Sequence, residues 1–149
     1  SNKRLRGNAR DIHGNVWDEI FIMISGEMTF VEFEPTEKEK EIMRKDNGSI
    51  YELSSIEELK KRNLNNLSIK RTRPGDVIFS PAGCAHGILD ANNALYLVFI
   101  NKNKDFGHWM KQFWGENSKK YKINMRITND LKEKNTKTIS SYWGEYSKF

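Results

Sequence analysis

Residues 75–90 contain the part of the sequence with the clearest potential for chemistry. Its anchor residues, in chain order, are Gly75, Pro81, Gly83, His86 and Asp90. Glycine permits a turn with positive φ and proline restricts φ, so this spacing predicts two strands joined through a turn. The returning strand begins at His86, whose imidazole would point into the interior of the fold. There it can form a buried hydrogen bond or act as a general base.

A second segment of this kind lies near the beginning of the chain. Its anchor residues are Gly7, His13, Asn15, Glu19 and Gly26. Taken alone, His13 would be interpreted as a surface histidine. If one strand runs through the segment, however, alternate residues share a face, and Trp17 lies on the same face as His13, Asn15 and Glu19. The pattern therefore predicts an imidazole and a carboxyl group on one wall of a pocket.

Together the two segments resemble the two motifs of the cupin superfamily, G-x5-H-x-H-x3/4-E-x6-G and G-x5-P-x-G-x2-H-x3-N. The departures are Asn15 in place of a histidine and Asp90 in place of an asparagine. The resemblance covers about residues 7–100, with an insertion at about 35–66 and an extension at 101–149. It implies one mainly β domain over 1–149, a jelly-roll or double-stranded antiparallel β-barrel with a short C-terminal helix and tail.

The resemblance also implies a metal site. Carried over position by position, the metal ligands are His13, Glu19 and His86, and Asn15 occupies the fourth place. Two imidazoles and one carboxylate suit a single divalent transition metal, Fe, Mn, Ni, Co or Zn. Asn15 either adds its amide oxygen or leaves that position open for a substrate. The same three residues are the predicted catalytic residues.

Three further residues are candidates for contact with a substrate. Cys84 and His86 share a face if the strand is extended, so the thiol lines the cavity or is simply a small buried residue. Trp17 walls the pocket or packs in the core. Arg10 precedes the first motif and could meet an anionic substrate such as the diphosphate of a nucleotide sugar.

Three functions remain open, because a fold does not determine a function. The first is a metal-binding enzyme that acts on a small organic molecule. The second is a metal-free nucleotide-sugar isomerase or epimerase of surface-polysaccharide biosynthesis, with His86 or His13 as general base. The third is a cupin that binds a ligand without catalysis.

Composition limits the cellular compartment and the partners that we expect for the protein. The net charge of +5 is concentrated after residue 101, but the basic residues are not interleaved with glycine and aromatic residues as in a nucleic-acid groove. No apolar run is long enough for a membrane span, and a single cysteine fits a reducing compartment. We therefore expect a cytoplasmic protein with a small-molecule substrate and no nucleic acid or membrane partner. A homodimer is expected from the resemblance, and the aromatic tail, Tyr142 to Phe149, should pack on a barrel.

Local patterns predict the elements that must position these residues. A hairpin is expected over residues 20–34 with its turn at Ser25 and Gly26, and an exposed loop over 35–50. A short helix should begin after Ser55 and continue to about Arg62. Strands are predicted at 67–73, 77–79, 87–89, 94–100 and 121–127, and a helix at 106–114.

Overall fold

A computed structural model of the protein describes residues 11–52 and 55–132. The strands in these ranges are β1 (Asp11–Gly14), β2 (Asp18–Glu34), β3 (Ser49–Glu52), β4 (Asn65–Thr72), β5 (Val77–Ser80) and β6 (Ala85–Asn101). The helices are α1 (Glu37–Lys45), α2 (Ile56–Lys60), α3 (Phe106–Trp114) and α4 (Lys119–Lys132). No helix within these ranges is both long and apolar enough to cross a membrane.

The strands form one antiparallel sheet in the order β3-β1-β6-β2-β4, with β5 beside the first half of β2. Strands β2 and β6 pair along almost their whole length, from Asp18 opposite Asn101 to Phe33 opposite Ala85. Irregularities between Met23 and Glu27 interrupt this ladder, and such bulges increase the bend and twist of a sheet. The sheet curls into a half-barrel, which confirms the predicted mainly β, barrel-like fold.

The predicted hairpin over residues 20–34 is wrong, because these residues belong to one continuous strand, β2. Gly26 lies in the bulged region with a φ of 71° and does not turn the chain back. A Cβ at this position would overlap the backbone of Asn93 on β6. The glycine therefore permits close approach of two long strands. The two strands predicted at 87–89 and 94–100 are likewise one strand, β6.

Two predictions of irregular or extended structure are also wrong. The loop predicted over 35–50 contains helix α1, whose first turn has a complete capping box between Thr36 and Glu39. The strand predicted over 121–127 is part of helix α4, because its apolar residues pack toward α3. The helices at α2 and α3 and the strands β4 and β5 are confirmed.

The sheet buries apolar side chains on both faces. On the inner face, which carries His86, a small cluster is formed by Phe21, Met23, Met28, Phe30 and Ile78. On the opposite face, helices α1 and α3 cover a larger cluster that includes Ile12, Val31, Phe33, Met43, Met110 and Phe113. The helical layer holds β1 and the start of β6 in place. The strands that carry the candidate site are therefore packed on both faces.

Candidate functional site

Pairing of β1 with β6 brings the two sequence motifs together. His13 lies directly opposite His86, and the centroids of their rings are 4.7 Å apart in an edge-to-face arrangement. Beyond the strands, two backbone hydrogen bonds of 2.8 Å continue the contact. The backbone N–H of Asn15 donates to the carbonyl of Cys84, and the backbone N–H of Gly83 donates to the carbonyl of Asn15. The described part of the first motif therefore lies beside the second motif, on the adjacent strands β1 and β6.

Glu19 completes a compact group with His86. Its Oε2 is 3.3 Å from Nε2 of His86, and its Oε1 accepts a hydrogen bond from Nε1 of Trp17 at 2.5 Å. The exposed fraction is 8% for Glu19 and 4% for His86. Trp17 itself is held by stacking on Phe106 of α3, with ring centroids 5.8 Å apart. The carboxyl group therefore has a fixed orientation inside the fold.

Two residues that the sequence motifs did not reveal extend this group. Ser80 of β5 pairs with Glu19 of β2, and Glu32 of β2 pairs with His86 of β6, so all four side chains lie on the inner face. The hydroxyl oxygen of Ser80 is 2.8 Å from Nδ1 of His86, and the same hydroxyl donates a short hydrogen bond to Oε2 of Glu32. The result is a continuous chain Glu19–His86–Ser80–Glu32.

Apolar rings surround the imidazole of His86. The ring centroids of Phe21 and Phe30 are 5.8 and 5.4 Å from it. Burial, with a smaller contribution from repulsion by His13, lowers the pKa of His86 to about 3. The imidazole is therefore neutral near pH 7, and its contact with Glu19 is a hydrogen bond rather than an ion pair.

Burial has the opposite effect on the two carboxyl groups. It raises the pKa of Glu19 and that of Glu32, and the hydrogen bonds from Trp17 and Ser80 only partly oppose this. Burial also lowers the pKa of His13, because protein atoms crowd most of its ring although one side remains open to solvent. Burial therefore favours the neutral forms of both imidazoles and both carboxyl groups, as expected where water is largely excluded.

If one of the two carboxyl groups is protonated, the hydrogens along this chain can be placed in two ways. Ser80 has a single hydroxyl hydrogen for two partners. If the hydroxyl of Ser80 donates this hydrogen to Glu32, then Nδ1–H of His86 donates to the oxygen of Ser80, and a protonated Glu19 donates to Nε2 of His86. If Glu32 holds the proton, Ser80 donates to Nδ1, and Nε2–H of His86 donates to an ionised Glu19. The two arrangements differ by transfer of one proton between the carboxyl groups.

Asn15 and Trp17 support the site from its sides. The buried amide of Asn15 donates from Nδ2 to the carbonyl and hydroxyl oxygens of Ser80, at 3.2 and 3.4 Å, and to the carbonyl of Pro81 at 3.5 Å. It therefore holds the end of β5 against the first motif. The strand does not run through this segment, since β1 ends at Gly14, yet Trp17 still reaches Glu19.

The remaining predicted residues are less closely involved. Cys84 is half-buried, and burial together with the charges of Glu32 and Glu34 raises its pKa to about 11, so it stays a thiol. Asp90 is exposed and lies 3.7 Å from Arg71 at the surface. Arg10 and the aromatic tail over residues 142–149 lie outside the described residues.

The donor set for a metal can be judged on the same geometry. Across residues 11–52 and 55–132, no three His, Cys, Asp or Glu side chains converge at the spacing of metal ligands. Glu19 and His86 approach one another as two donors to one ion would, at 3.3 Å, and the ring of His13 lies 4.7 Å from that of His86. His86 does have its Nδ1 held by Ser80, which is typical of a histidine whose Nε2 binds a metal. The described residues therefore offer two well-placed donors.

A second concave feature lies away from these residues. An open cleft of about 540 Å³ is bounded by α1 and by the connection between α3 and α4. Its cations already have partners, since Arg44 donates to the carbonyl of Gln112 and Lys111 forms an ion pair with Glu116. These charged groups are therefore already paired, and the inner-face cluster is the better candidate site.

Comparison of the chain with known protein families and with curated proteins gives no match. The interpretation of the site consequently depends on the two motif segments and on the geometry described above.

Proposed function

We propose that the protein is a cupin-type enzyme that moves a proton on a small carbonyl-containing molecule, with Glu19 as the acid–base group. The observation that carries the proposal is the contact between Glu19 and His86 in a water-poor setting. Burial raises the pKa of Glu19, which makes its carboxylate a stronger base than a fully solvated one.

The chain Glu19–His86–Ser80–Glu32 would bring Glu19 to its reactive, ionised form by passing a proton from Glu19 through His86 and Ser80 to Glu32. The ionised Glu19 can then take a proton from one substrate carbon and return it to another, while Glu32 stays protonated. No net charge develops on the imidazole in this exchange. That agrees with burial, which makes an imidazolium at His86 costly.

A substrate would approach from the side of His13, whose ring is exposed. On the inner face, Ile100 lies opposite Glu19 and Val98 opposite Phe21, and both are exposed. An apolar rim beside an imidazole suits a ring such as a sugar, with the carbonyl directed inward. A sugar isomerase or epimerase is therefore the reaction class that this site supports best.

Solvent-deuterium exchange tests the proposal across several candidate substrates at once. The protein is incubated in D₂O with a panel of nucleotide-linked keto sugars, and incorporation at carbon is followed by NMR. Glu19→Gln should reduce the exchange rate by about 100-fold or more, the usual contribution of a general base. Glu34→Gln is the matched control, because Glu34 is an exposed carboxylate on the same strand. Equal exchange rates in the two variants would contradict the proposal.

A metal-dependent enzyme is the second candidate. It is favoured by the anchoring of Nδ1 of His86 to Ser80, which leaves Nε2 directed at Glu19. Glu19 and His86 would hold the ion, with His13 as a further donor from the mouth of the site. A divalent ion there would supply Lewis acidity to a substrate oxygen.

Metal content separates the two candidates. The wild type and His86→Ala are purified without chelator and measured by mass spectrometry, before and after reconstitution. Stoichiometric metal in the wild type alone, with exchange activity lost on chelation, would favour the metalloenzyme. Exchange that survives chelation would favour the metal-free enzyme. Binding of a keto sugar without any exchange would instead indicate a ligand-binding protein.

A further inference from the structure

The outer face of the sheet has a half that the helices do not cover. There the strands β5, β2 and β6 lie side by side, with Ile20 opposite both Phe79 and Phe99. Directly opposite residues in an antiparallel sheet point to the same face. Six large apolar side chains are exposed on this face, and we call them the apolar wall: Ile20, Val77, Phe79, Leu95, Leu97 and Phe99.

The apolar wall is large for a surface exposed to water. The exposed fraction reaches 59% for Phe79 and 55% for Phe99, in side chains that are among the largest. Together the six expose on the order of 600 Å² of apolar surface, the upper end of what a monomeric protein presents. A stable interface needs about 800 Å² from each partner, and the wall with its immediate surroundings approaches this.

The edge of the sheet beside the wall is also open. Among the described residues, β6 pairs with β1 only at Ala85 and His86, so its remaining length has β2 on one side alone. Val98 and Ile100, on the inner face, are exposed as well. A long apolar edge strand is prone to association, and natural proteins normally cover or charge it.

We propose that a second copy of this chain covers the apolar wall, so that the protein is a twofold-symmetric dimer formed wall to wall. None of the six wall residues is charged, so two identical walls meet without repulsion at the contact, although each chain carries a net charge of +5. Identical patches that face one another satisfy the symmetry of an isologous interface. The wall lies on the face opposite Glu19, so the dimer leaves the candidate site open.

Analytical ultracentrifugation over a wide concentration range tests the proposal on the full chain. The wild type should sediment as a dimer of about 35 kDa, twice the 17.5 kDa of one chain. Phe79→Lys and Phe99→Glu should each raise the dissociation constant by about 100-fold or more, because they place a charge in an apolar contact. Ile42→Lys is the matched control: Ile42 is an exposed residue, at 41%, on α1 and away from the wall.

The outcomes are distinct. Dimers of the wild type and of Ile42→Lys, together with monomers of both wall variants that keep the wild-type circular dichroism, support the proposal. A monomeric wild type, or dimers that survive both wall substitutions, overturns it. A wild-type monomer that dimerises after truncation at residue 138 would overturn it in favour of the chain's own tail as the cover. None of these results depends on the deuterium-exchange assay, so this proposal and the proposed function can fail separately.

Discussion

Lowering the pH from about 8 to about 5 should destabilise the protein through His86. In the folded chain, burial holds the pKa of this imidazole at about 3, whereas in the unfolded chain it returns to its ordinary value of 6.5. Between these values the unfolded state binds a proton that the folded state does not. Stability is therefore lost as the pH falls below about 6.5.

The size of the effect follows from the two pKa values. Each pH unit within the window costs about 1.4 kcal/mol in the free energy of unfolding. Because the loss begins near the upper pKa, His86 should cost about 2 kcal/mol by pH 5. A change of that size is a substantial part of the stability of a small domain.

Urea unfolding of the wild type and of His86→Gln at several pH values measures this quantity. Glutamine retains hydrogen-bonding groups but does not titrate in this range. The other groups with altered pKa values, among them His13 and Glu19, are present in both proteins, so the difference between the two pH profiles reports on His86 together with its contacts to them. The wild type should lose about 2 kcal/mol more than the variant. Parallel profiles would refute the conclusion that the imidazole is buried in its neutral form.

Two other substitutions test the packing around the site. Gly14→Ala should destabilise the protein by about 1–3 kcal/mol in thermal or urea unfolding, because a Cβ there would overlap the ring of the fully buried Phe113; a neutral result would show that β1 and α3 are not in close contact. Ser80→Ala should also cost about 1–3 kcal/mol, since it leaves His86 and Glu32 without their shared partner. Wild-type stability in that variant would contradict the hydrogen-bonded chain.

The sequence predicted the closeness of the two motifs better than the bounds of the strands around them. The resemblance of the two segments to the cupin motifs implied one site that contains His13 and His86, and these residues lie on neighbouring strands. Glu32 and Ser80 escaped notice because an acidic residue in an alternating strand normally faces water, and a serine in a turn-bounded strand has no distinctive spacing. Their roles depend on strand register, which a single sequence does not specify.

The errors in the fold have a common physical origin. At Gly26 a glycine next to serine resembles a hairpin turn, but the same conformational freedom serves a bulge within a long strand. Over residues 121–127, the alternate apolar residues also include pairs at the i, i+4 spacing of a helix, Tyr121 with Met125 and Ile123 with Ile127, and packing against α3 decides the outcome. Only α1 carried an overlooked local signal, the capping box of Thr36 and Glu39.

The pairing of β2 with β6 has a consequence for the kinetics of folding. Phe33 meets Ala85 and Asp18 meets Asn101, so the longest ladder in the sheet joins residues that are far apart in the chain. Loop-closure entropy must be lost before any of these contacts forms, and chains of such high contact order fold in milliseconds to seconds rather than microseconds. The same relation implies that a longer connection between β2 and β4 would cost little in stability. Each doubling of a flexible loop adds only about 0.6 kcal/mol to its closure. Pairing of β2 with β6 is therefore slow, and a longer connection between β2 and β4 would change its rate little.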